Sequence, residues 1–595
     1  MSYNDFSDPE EEEEYIDRVV NLNNDKSSLN SIILDTYKKG KQAIVFVNSK
    51  RSAEKVAEDI MKLLKRHIHE KSEIDNLLGI SESILGVLSS PTTQCRRLAG
   101  CILGSSAFHH SGLVSKQRDI VEEEFRNGNI KFISATPTLA AGVDLPAYRV
   151  IIRDLRRHTP HGYSYIPVLE YLQQAGRAGR PKYDNSGQAI CIARNDKDRL
   201  NILKNYVLGS PENVYSKLAV EPVLRFYILS LISTKTSNSL SELVSFFTKT
   251  FWGHQYGDVF RISAIIKKMI DLLISWDFIK YEKKPDMKEM SDSGSSDMFL
   301  NADEILKPDD SYKSNNNKKE GTKRTKDNKN KIKPIDKGLI TTMLGDRVAQ
   351  LYIDPYSANL MLEGLSFAAN KKIKKIDSFA LLQIICSALE MKPLLGIRSS
   401  DYENLNIVIE HHKDTLLCEP PDFYDEDYEF FLMTVKTAMM LDMWINEADE
   451  EKILEKFSVR PGGLRNQLFI AKWLLYSLGE LARFGHLGYV SQIKRIEERI
   501  KYGVRDELLT LLKLKNIGKI RARKLFLNGY KNLGMIKDAN FSDLANIIGK
   551  SFAINVKEQL GEKVDNDDVK RFNENKSAEK NKIKRKSGQS RLGDF

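Results

Sequence analysis

Along the first two hundred residues, short unbroken apolar runs alternate with segments whose apolar positions recur every three or four residues. AIVFV (43–47) is such a run, and the polar residues from Asn48 to Ser52 turn the chain from it into an amphipathic helix. Runs without polar alternation predict strands buried on both faces. A short helical pattern from Ser31 to Lys41 precedes the first strand. AFHHSGL with a helix through Glu124, KFISATPTLAAGVDLP, YRVIIRDL and GQAICIA continue the series. Strands alternating with helices predict a parallel α/β sheet, which places ligands at the carboxyl ends of its strands.

The pattern divides the chain. Residues 1–28 are an acidic, flexible lead-in, and residues 29–198 form the α/β domain. Beyond Asp198 helices dominate, with short helices and a short strand across 199–285. Residues 286–338 are low in complexity and poor in aromatics, which predicts a disordered insertion. Helical patterning resumes over 339–502, a small helical unit occupies 503–561, and residues 562–595 form a loose, lysine-rich tail. No repeat of fixed period is present.

With 41% hydrophobic and 29% charged residues in 595, the composition is that of a multidomain globular chain. No uncharged apolar run approaches the roughly 18 residues of a membrane helix, and the start, MSYNDFSDPEEEEE, is unlike a signal peptide. A cytoplasmic, nucleoid-associated protein is expected. Cys95, Cys101, Cys191, Cys386 and Cys418 show no CxxC spacing, so reduced thiols and no metal site are predicted. The net charge of +10, with lysine concentrated in the insertion and the tail, favours an anionic partner such as nucleic acid.

Residues 173–180 read QQAGRAGR. Guanidinium is planar, always charged and matched to phosphate oxygens, so Arg177 and Arg180, one helical turn from Gln173, are suited to a single anion. The segment FISATPTLAAGVDLPA, which joins a strand to a loop, carries Ser134, Thr136, Thr138, Gly142 and Asp144; small residues let backbone N–H groups approach a phosphate, and hydroxyls can donate to it. The chain lacks a matching phosphate cradle. Its only GKS triplet, Gly549-Lys550-Ser551, has Leu544 where the leading glycine belongs and no strand before it. No DExH box ends an apolar strand.

IVFVNSKRSAE, FHHSGL, ATPTLAAGVDLP and QQAGRAGR, in that order within one α/β domain, resemble the second motor domain of a superfamily-2 helicase. The resemblance implies a RecA-like fold in which Thr136, Thr138 and Gly142 face nucleic acid or the interdomain cleft and Asp144 couples the two. It also implies that Gln173, Arg177 and Arg180 reach the phosphates of ATP, whose Mg2+ and triphosphate are held mainly by a first motor domain. Over nearly the whole chain the likeness is to archaeal DNA helicases related to HelQ and to the helicase half of polymerase theta. In that group YRVIIRDLRRHTPHGYSYIPVLEYLQQ forms a strand-separating hairpin, with Tyr163 and Tyr165 placed to stack on bases. GSPENVYSKLAVEPVLRFYILSLI is similar to its winged helix. The segment from VKTAMMLDMWI to LLYSLGEL is similar to its ratchet, where Trp473 matches a DNA-contacting tryptophan and Asn466, next to Arg465, stands at the arginine position.

LLKLKNIGKIRARKLFLNGY resembles a helix-hairpin-helix. Asn516-Ile517-Gly518 fills its turn, where asparagine tolerates a left-handed backbone, and Lys519, Arg521, Arg523 and Lys524 supply charge for phosphates. Gln589, Leu592 and Phe595 reproduce the spacing of sliding-clamp ligands. The expectation is the C-terminal part of a split 3′ to 5′ DNA helicase of repair or replication forks, acting on single-stranded and branched DNA with its first motor domain on a separate chain. A non-catalytic DNA-binding module that tethers a clamp is the alternative, and an RNA helicase relative fits the tail less well.

Overall fold

The computed structural model describes residues 28–282 and 338–573, apart from 89, 141, 142, 160, 161, 180–183, 185, 486, 566–569 and 571. Two compact units divide the chain, residues 216–355 forming the second and the rest the first.

The first unit opens with helix α1 (Ser28–Lys38) and strand β1 (Ala43–Phe46). Ser49 caps α2 (Lys50–Leu64), its hydroxyl accepting from the Ser52 N–H at 3.1 Å. After α3 (Lys71–Leu85) and α4 (Thr93–Ile102) come β2 (Ser106–His109), α5 (Ser115–Arg126), β3 (Phe132–Ala135) and β4 (Arg149–Ile152). A hairpin of β5 (Arg156–Thr159) and β6 (Gly162–Tyr165) leads to α6 (Val168–Ala175), β7 (Gln188–Cys191) and α7 (Asp196–Ile202). The sheet is five-stranded, in the order β2-β3-β1-β4-β7, with every pairing parallel. Every residue of β1 to β4 is buried, the reason these strands are mostly apolar, with Ser106, His109, Ser134 and Arg149 the buried polar exceptions. Phe46, Phe108, Phe125 and Phe132 sit in the core between sheet and helices.

The remainder of this unit is helical: α13 (Pro355–Asn370), α14 (Ser378–Cys386), α15 (Tyr402–His412), α16 (Tyr428–Ile445), α17 (Glu450–Phe457), the 24-residue α18 (Pro461–Phe484) and α19 (Val490–Tyr502). A terminal group, α20 (Lys519–Leu527), α21 (Leu533–Lys537), α22 (Phe541–Ile548) and α23 (Lys550–Gln559), has its own core around Leu511, Leu525, Ile536 and Leu544. Gly549-Lys550-Ser551 joins two of these helices with no strand before it, so it is no phosphate cradle.

The second unit holds α8 (Glu221–Ser233), α9 (Leu240–Thr248), α10 (Phe251–Tyr256), α11 (Val259–Ser275) and α12 (Met343–Leu351), packed with an antiparallel ribbon of β8 (Ile279–Tyr281) and β9 (Leu339–Thr341). Residues 339–355, expected with the following helical domain, thus return to this one. Gly345 fixes the return: a Cβ there would lie 1.9 Å from the Phe278 carbonyl oxygen. Arg225 closes it, donating to both Asp354 oxygens at 2.7 and 3.3 Å. The insertion falls between β8 and β9; all of it except residue 338 lies outside the described residues, as do the lead-in up to residue 27 and the clamp-like Gln589, Leu592 and Phe595.

Candidate nucleotide and nucleic-acid interface

Helix α6 positions the arginine turn. Its first two N–H groups, of Val168 and Leu169, donate to the two carboxylate oxygens of Glu212 at 2.6 and 3.1 Å, and these bonds hold the Glu212 carboxyl below its ordinary pKa. At its other end the chain turns at Gly176, and Ala147 donates to the Arg177 carbonyl at 3.0 Å while Gly179 donates to the Ala147 carbonyl at 2.7 Å. Gly179 has φ +93°, and a Cβ on Gly187 would lie 2.3 Å from the Gly179 nitrogen, so two glycines let these backbones touch.

The Arg177 guanidinium donates from Nε and Nη2 to the carbonyl of Ala140, at 3.1 Å from Nε, and lies 4.0 Å from the Asp144 carboxylate. One arginine therefore ties the turn to the hydroxyl-bearing loop. Asp144 is almost fully exposed and Gln173 is exposed. In the loop the buried Thr136 shares a 2.9 Å hydrogen bond with the exposed Thr138, and its N–H donates to the His109 carbonyl. Gly142 and Arg180 lie outside the described residues.

The predicted hairpin is present, pairing Arg156 with Tyr165 and His158 with Tyr163. Tyr165 is locked: the Arg156 guanidinium stacks 4.2 Å from its ring centre and donates to its hydroxyl, and Asn201 donates to the same hydroxyl at 3.1 Å. Tyr163, two residues earlier on the same face, is 76% exposed.

Within the first unit the α/β and helical parts are joined by Glu54 on α2. Its buried carboxylate accepts from Gln94 at 3.0 Å, Arg97 at 2.6 Å and Arg460 at 2.9 Å, with His110 Nε2 at 3.2 Å. Burial opposes its charge, but the hydrogen bonds from His110 and Arg460, followed by the Arg460 charge, hold it far below the carboxylate range. Burial pushes the His110 imidazole down despite Glu54, so the ring is neutral. Its Nδ1 accepts from the Gly112 N–H at 3.1 Å, which leaves the proton on Nε2 facing the carboxylate. Gly462 donates to the Gly112 carbonyl at 2.8 Å, and a Cβ on Gly462 would meet the Leu113 carbonyl oxygen at 2.3 Å. Beside this joint lies a cavity of about 710 Å³ with Lys50, Arg118, Arg460 and Arg465 on its walls. Burial first, and then the Arg460 charge, lowers the Lys50 pKa.

Helix α18 carries the predicted Trp473, half-buried, between the exposed aromatics Phe469 and Tyr476. The sequence reading overlooked those two, although their spacing of four and three places all three on one helical face. Asn466 is exposed on α18, whereas Arg465 is turned inward, bonded to Glu450 at 2.6 Å and stacked 5.0 Å from the Trp444 ring. In the terminal group Asn516 has φ +67°, as its turn demands, and Gly518 caps α20. Three of the four flanking cations, expected to face phosphate, have protein partners. Arg523 pairs with Glu447 and Glu507, Lys519 lies 5.3 Å from the Trp444 ring, and Arg521 lies over Phe552. Burial lowers the Lys519 pKa against the pull of Glu447 and Glu450. Lys524 is exposed.

A parallel α/β domain with an arginine turn bonded to a hydroxyl-bearing loop has the make-up of a helicase motor half. Residues 92–182 match the helicase conserved C-terminal domain, and residues 379–503 match the domain described as archaeal helicase, domain 4. The chain is 35% identical over 553 residues to the ATP-dependent DNA helicase Hel308 of Methanocella arvoryzae, covering 92% of this chain and 66% of the relative. It is 37% identical over 524 residues to that of Methanococcus vannielii, covering 85% and 64%. It is 32% identical over 581 residues to that of Caldivirga maquilingensis, covering 94% and 68%. The chain spans about two thirds of the length of these relatives. It belongs to the Hel308-like family of archaeal superfamily-2 helicases. Among the described residues no helix is long and apolar enough to cross a membrane.

Proposed function

We propose that this chain supplies the second motor domain and the DNA-tracking domains of an ATP-dependent 3′ to 5′ DNA helicase of repair and fork processing. The observation that carries the reading is the hydrogen bonding of Arg177 to Ala140, which joins the anion-seeking turn to the loop bearing Thr136 and Thr138. A nucleotide's phosphates, held by a first motor domain, draw the Arg177 guanidinium from the Ala140 carbonyl, and the pull on that loop alters its grip on DNA. Arg180 and Gln173 complete the anion side. ATP, when bound, supplies the phosphoryl group whose developing charge these residues stabilise. Magnesium, in this reading, is held mainly by the first motor domain. Trp473 holds the translocating strand, the β5–β6 hairpin parts the duplex, residues 199–285 act as a winged helix and 503–561 as a helix-hairpin-helix on phosphates, and Gln589, Leu592 and Phe595 dock a sliding clamp.

The test is to mix the chain with a separately produced first motor domain and measure DNA-stimulated ATP hydrolysis. Activity is expected only with both components, and Arg177→Ala lowers it at least ~100-fold. Brisk hydrolysis by the purified chain alone refutes the reading.

A further inference from the structure

The strand order places a topological switch between β1 and β4. The connection leaving β1 runs to the β2 side of the sheet, and the one leaving β4 runs to the β7 side. The crevice outside the carboxyl ends of two such strands is where parallel sheets bind ligands. A cleft of about 810 Å³ occupies that position, lined by Asn48 after β1, Arg153 after β4 and Arg194 after β7, and bordered by Tyr163 and Tyr165 of the hairpin. Its size falls in the ~300–1,000 Å³ range of small-ligand sites.

The lining has the chemistry of a single-stranded nucleic-acid site, an aromatic platform beside positive charge. Arg156 and Asn201 hold the Tyr165 ring in place, so it loses little freedom on stacking. Of the two acids in the lining, Asp154 pairs with Arg153 at 2.6 Å and accepts from the Asn48 N–H at 3.3 Å, and the Asp198 carboxylate accepts from the Arg194 N–H at 3.2 Å while the Asp198 N–H donates to the Asn195 side-chain oxygen at 2.8 Å. The exposed side chains of Arg194 and Lys197 have no protein partner among the described residues and stand ready for a phosphate. This cleft shares no lining residue with the cavity beside α18.

Resting on the helicase reading above, we propose that the cleft at the base of the hairpin binds the first unpaired nucleotide of the displaced strand, with its base on Tyr165 and its phosphate at Arg194 and Lys197. The hairpin then separates two strands that are each held, and re-annealing behind it is opposed.

Fluorescence anisotropy of the full chain on two DNAs tests this: a fork with both a 3′ and a 5′ arm, and the same duplex with the 3′ arm alone. Wild-type protein is expected to bind the fork at least ~5-fold more tightly. Arg194→Glu with Lys197→Glu, at exposed positions that leave the fold intact, should abolish that preference while keeping affinity for the 3′-tailed duplex within about twofold. A 2-aminopurine at the first unpaired position of the 5′ arm should be quenched by wild-type protein and not by the double variant, whereas a probe in the 3′ arm responds alike to both. Equal wild-type affinity for the two DNAs, an undiminished preference in the variant, or an equal loss on both DNAs overturns the proposal. Failure of the wild-type chain to bind even the 3′-tailed duplex instead overturns the helicase reading on which it rests.

Discussion

Arg460, immediately before the long helix α18, donates to the Glu54 carboxylate of α2 at 2.9 Å across 406 positions of sequence. The bond seats the helical part on the α/β part at one buried anion that three other side chains also face. Removing the charge leaves Arg460 and His110 facing a neutral amide, and Arg97 keeps only Glu58, at 2.7 Å, as a charged partner. Glu54→Gln is therefore expected to lower stability at neutral pH by about 2–3 kcal/mol, measured by urea denaturation. A loss within experimental error shows that the joint is held by packing around Gly112 and Gly462 instead.

The same cluster sets a pH dependence. His109 and His110 are held below the ordinary imidazole value by burial, opposed by Glu122 and Glu54 respectively. The unfolded chain therefore binds their protons first, and stability declines as pH falls below about 6.5. The Glu54 carboxyl is also depressed, so its contribution is complete above about 4.3 and is lost progressively below that. Denaturation midpoints should fall in two stages, and His110→Gln should flatten the first. The difference between wild-type and Glu54→Gln should shrink as pH falls below about 4.

At the arginine turn, Gly187→Ala places a methyl group 2.3 Å from the Gly179 nitrogen and 2.4 Å from the Ala178 carbonyl carbon, backbone atoms that cannot step aside as a flexible side chain would. The expected result is a stability loss of about 1–3 kcal/mol together with a larger fall in the ATP hydrolysis of the reconstituted motor, because Arg177 is displaced. Full hydrolysis by a folded Gly187→Ala protein argues against a positioned arginine.

Asn516 has φ +67°, a conformation costing an ordinary residue roughly 1–2 kcal/mol. Asn516→Gly should be close to neutral, while Asn516→Val should destabilise the terminal helical group by about that amount. Hydrogen exchange in α20 distinguishes the two.

That turn was legible because its constraint is local: an asparagine between a helix end and a glycine states its own backbone. The parallel sheet was legible for a similar reason, since strands buried on both faces leave short apolar runs such as AIVF and the VII of β4. Glu54 was not. In SAEKVAED it looks like one acid on a solvated helix face, and only Arg460, far along the chain, makes it a buried partner. The pairing of β8 with β9 was hidden likewise, because two three-residue strands separated by a long polar insertion leave no periodic signal. The surroundings of Arg465 were hidden too: one residue along a helix is a rotation of about 100°, enough to leave Asn466 exposed while Arg465 meets Glu450 and Trp444.

The aromatic face of α18 gives the sharpest test of strand tracking. Phe469 is 72% exposed and Tyr476 45% exposed, either side of Trp473, and exposed aromatics one turn apart offer successive stacking platforms. Stacking is worth about 1–3 kcal/mol per base, so Trp473→Ala and Phe469→Ala should each weaken single-stranded DNA binding by about 10-fold, with little dependence on sequence and little change in the salt slope. Asn466→Arg, at an exposed position, should tighten binding and steepen the logarithmic salt dependence by about 0.7, the signature of one added phosphate contact on a single strand. Arg465→Ala should leave that slope unchanged and cost stability, because its guanidinium serves Glu450 and Trp444 and not the DNA. A shallower slope in Arg465→Ala would instead mean that the arginine leaves these partners for a phosphate when DNA arrives, and the inward pairing would then be a resting state of the strand-tracking residue.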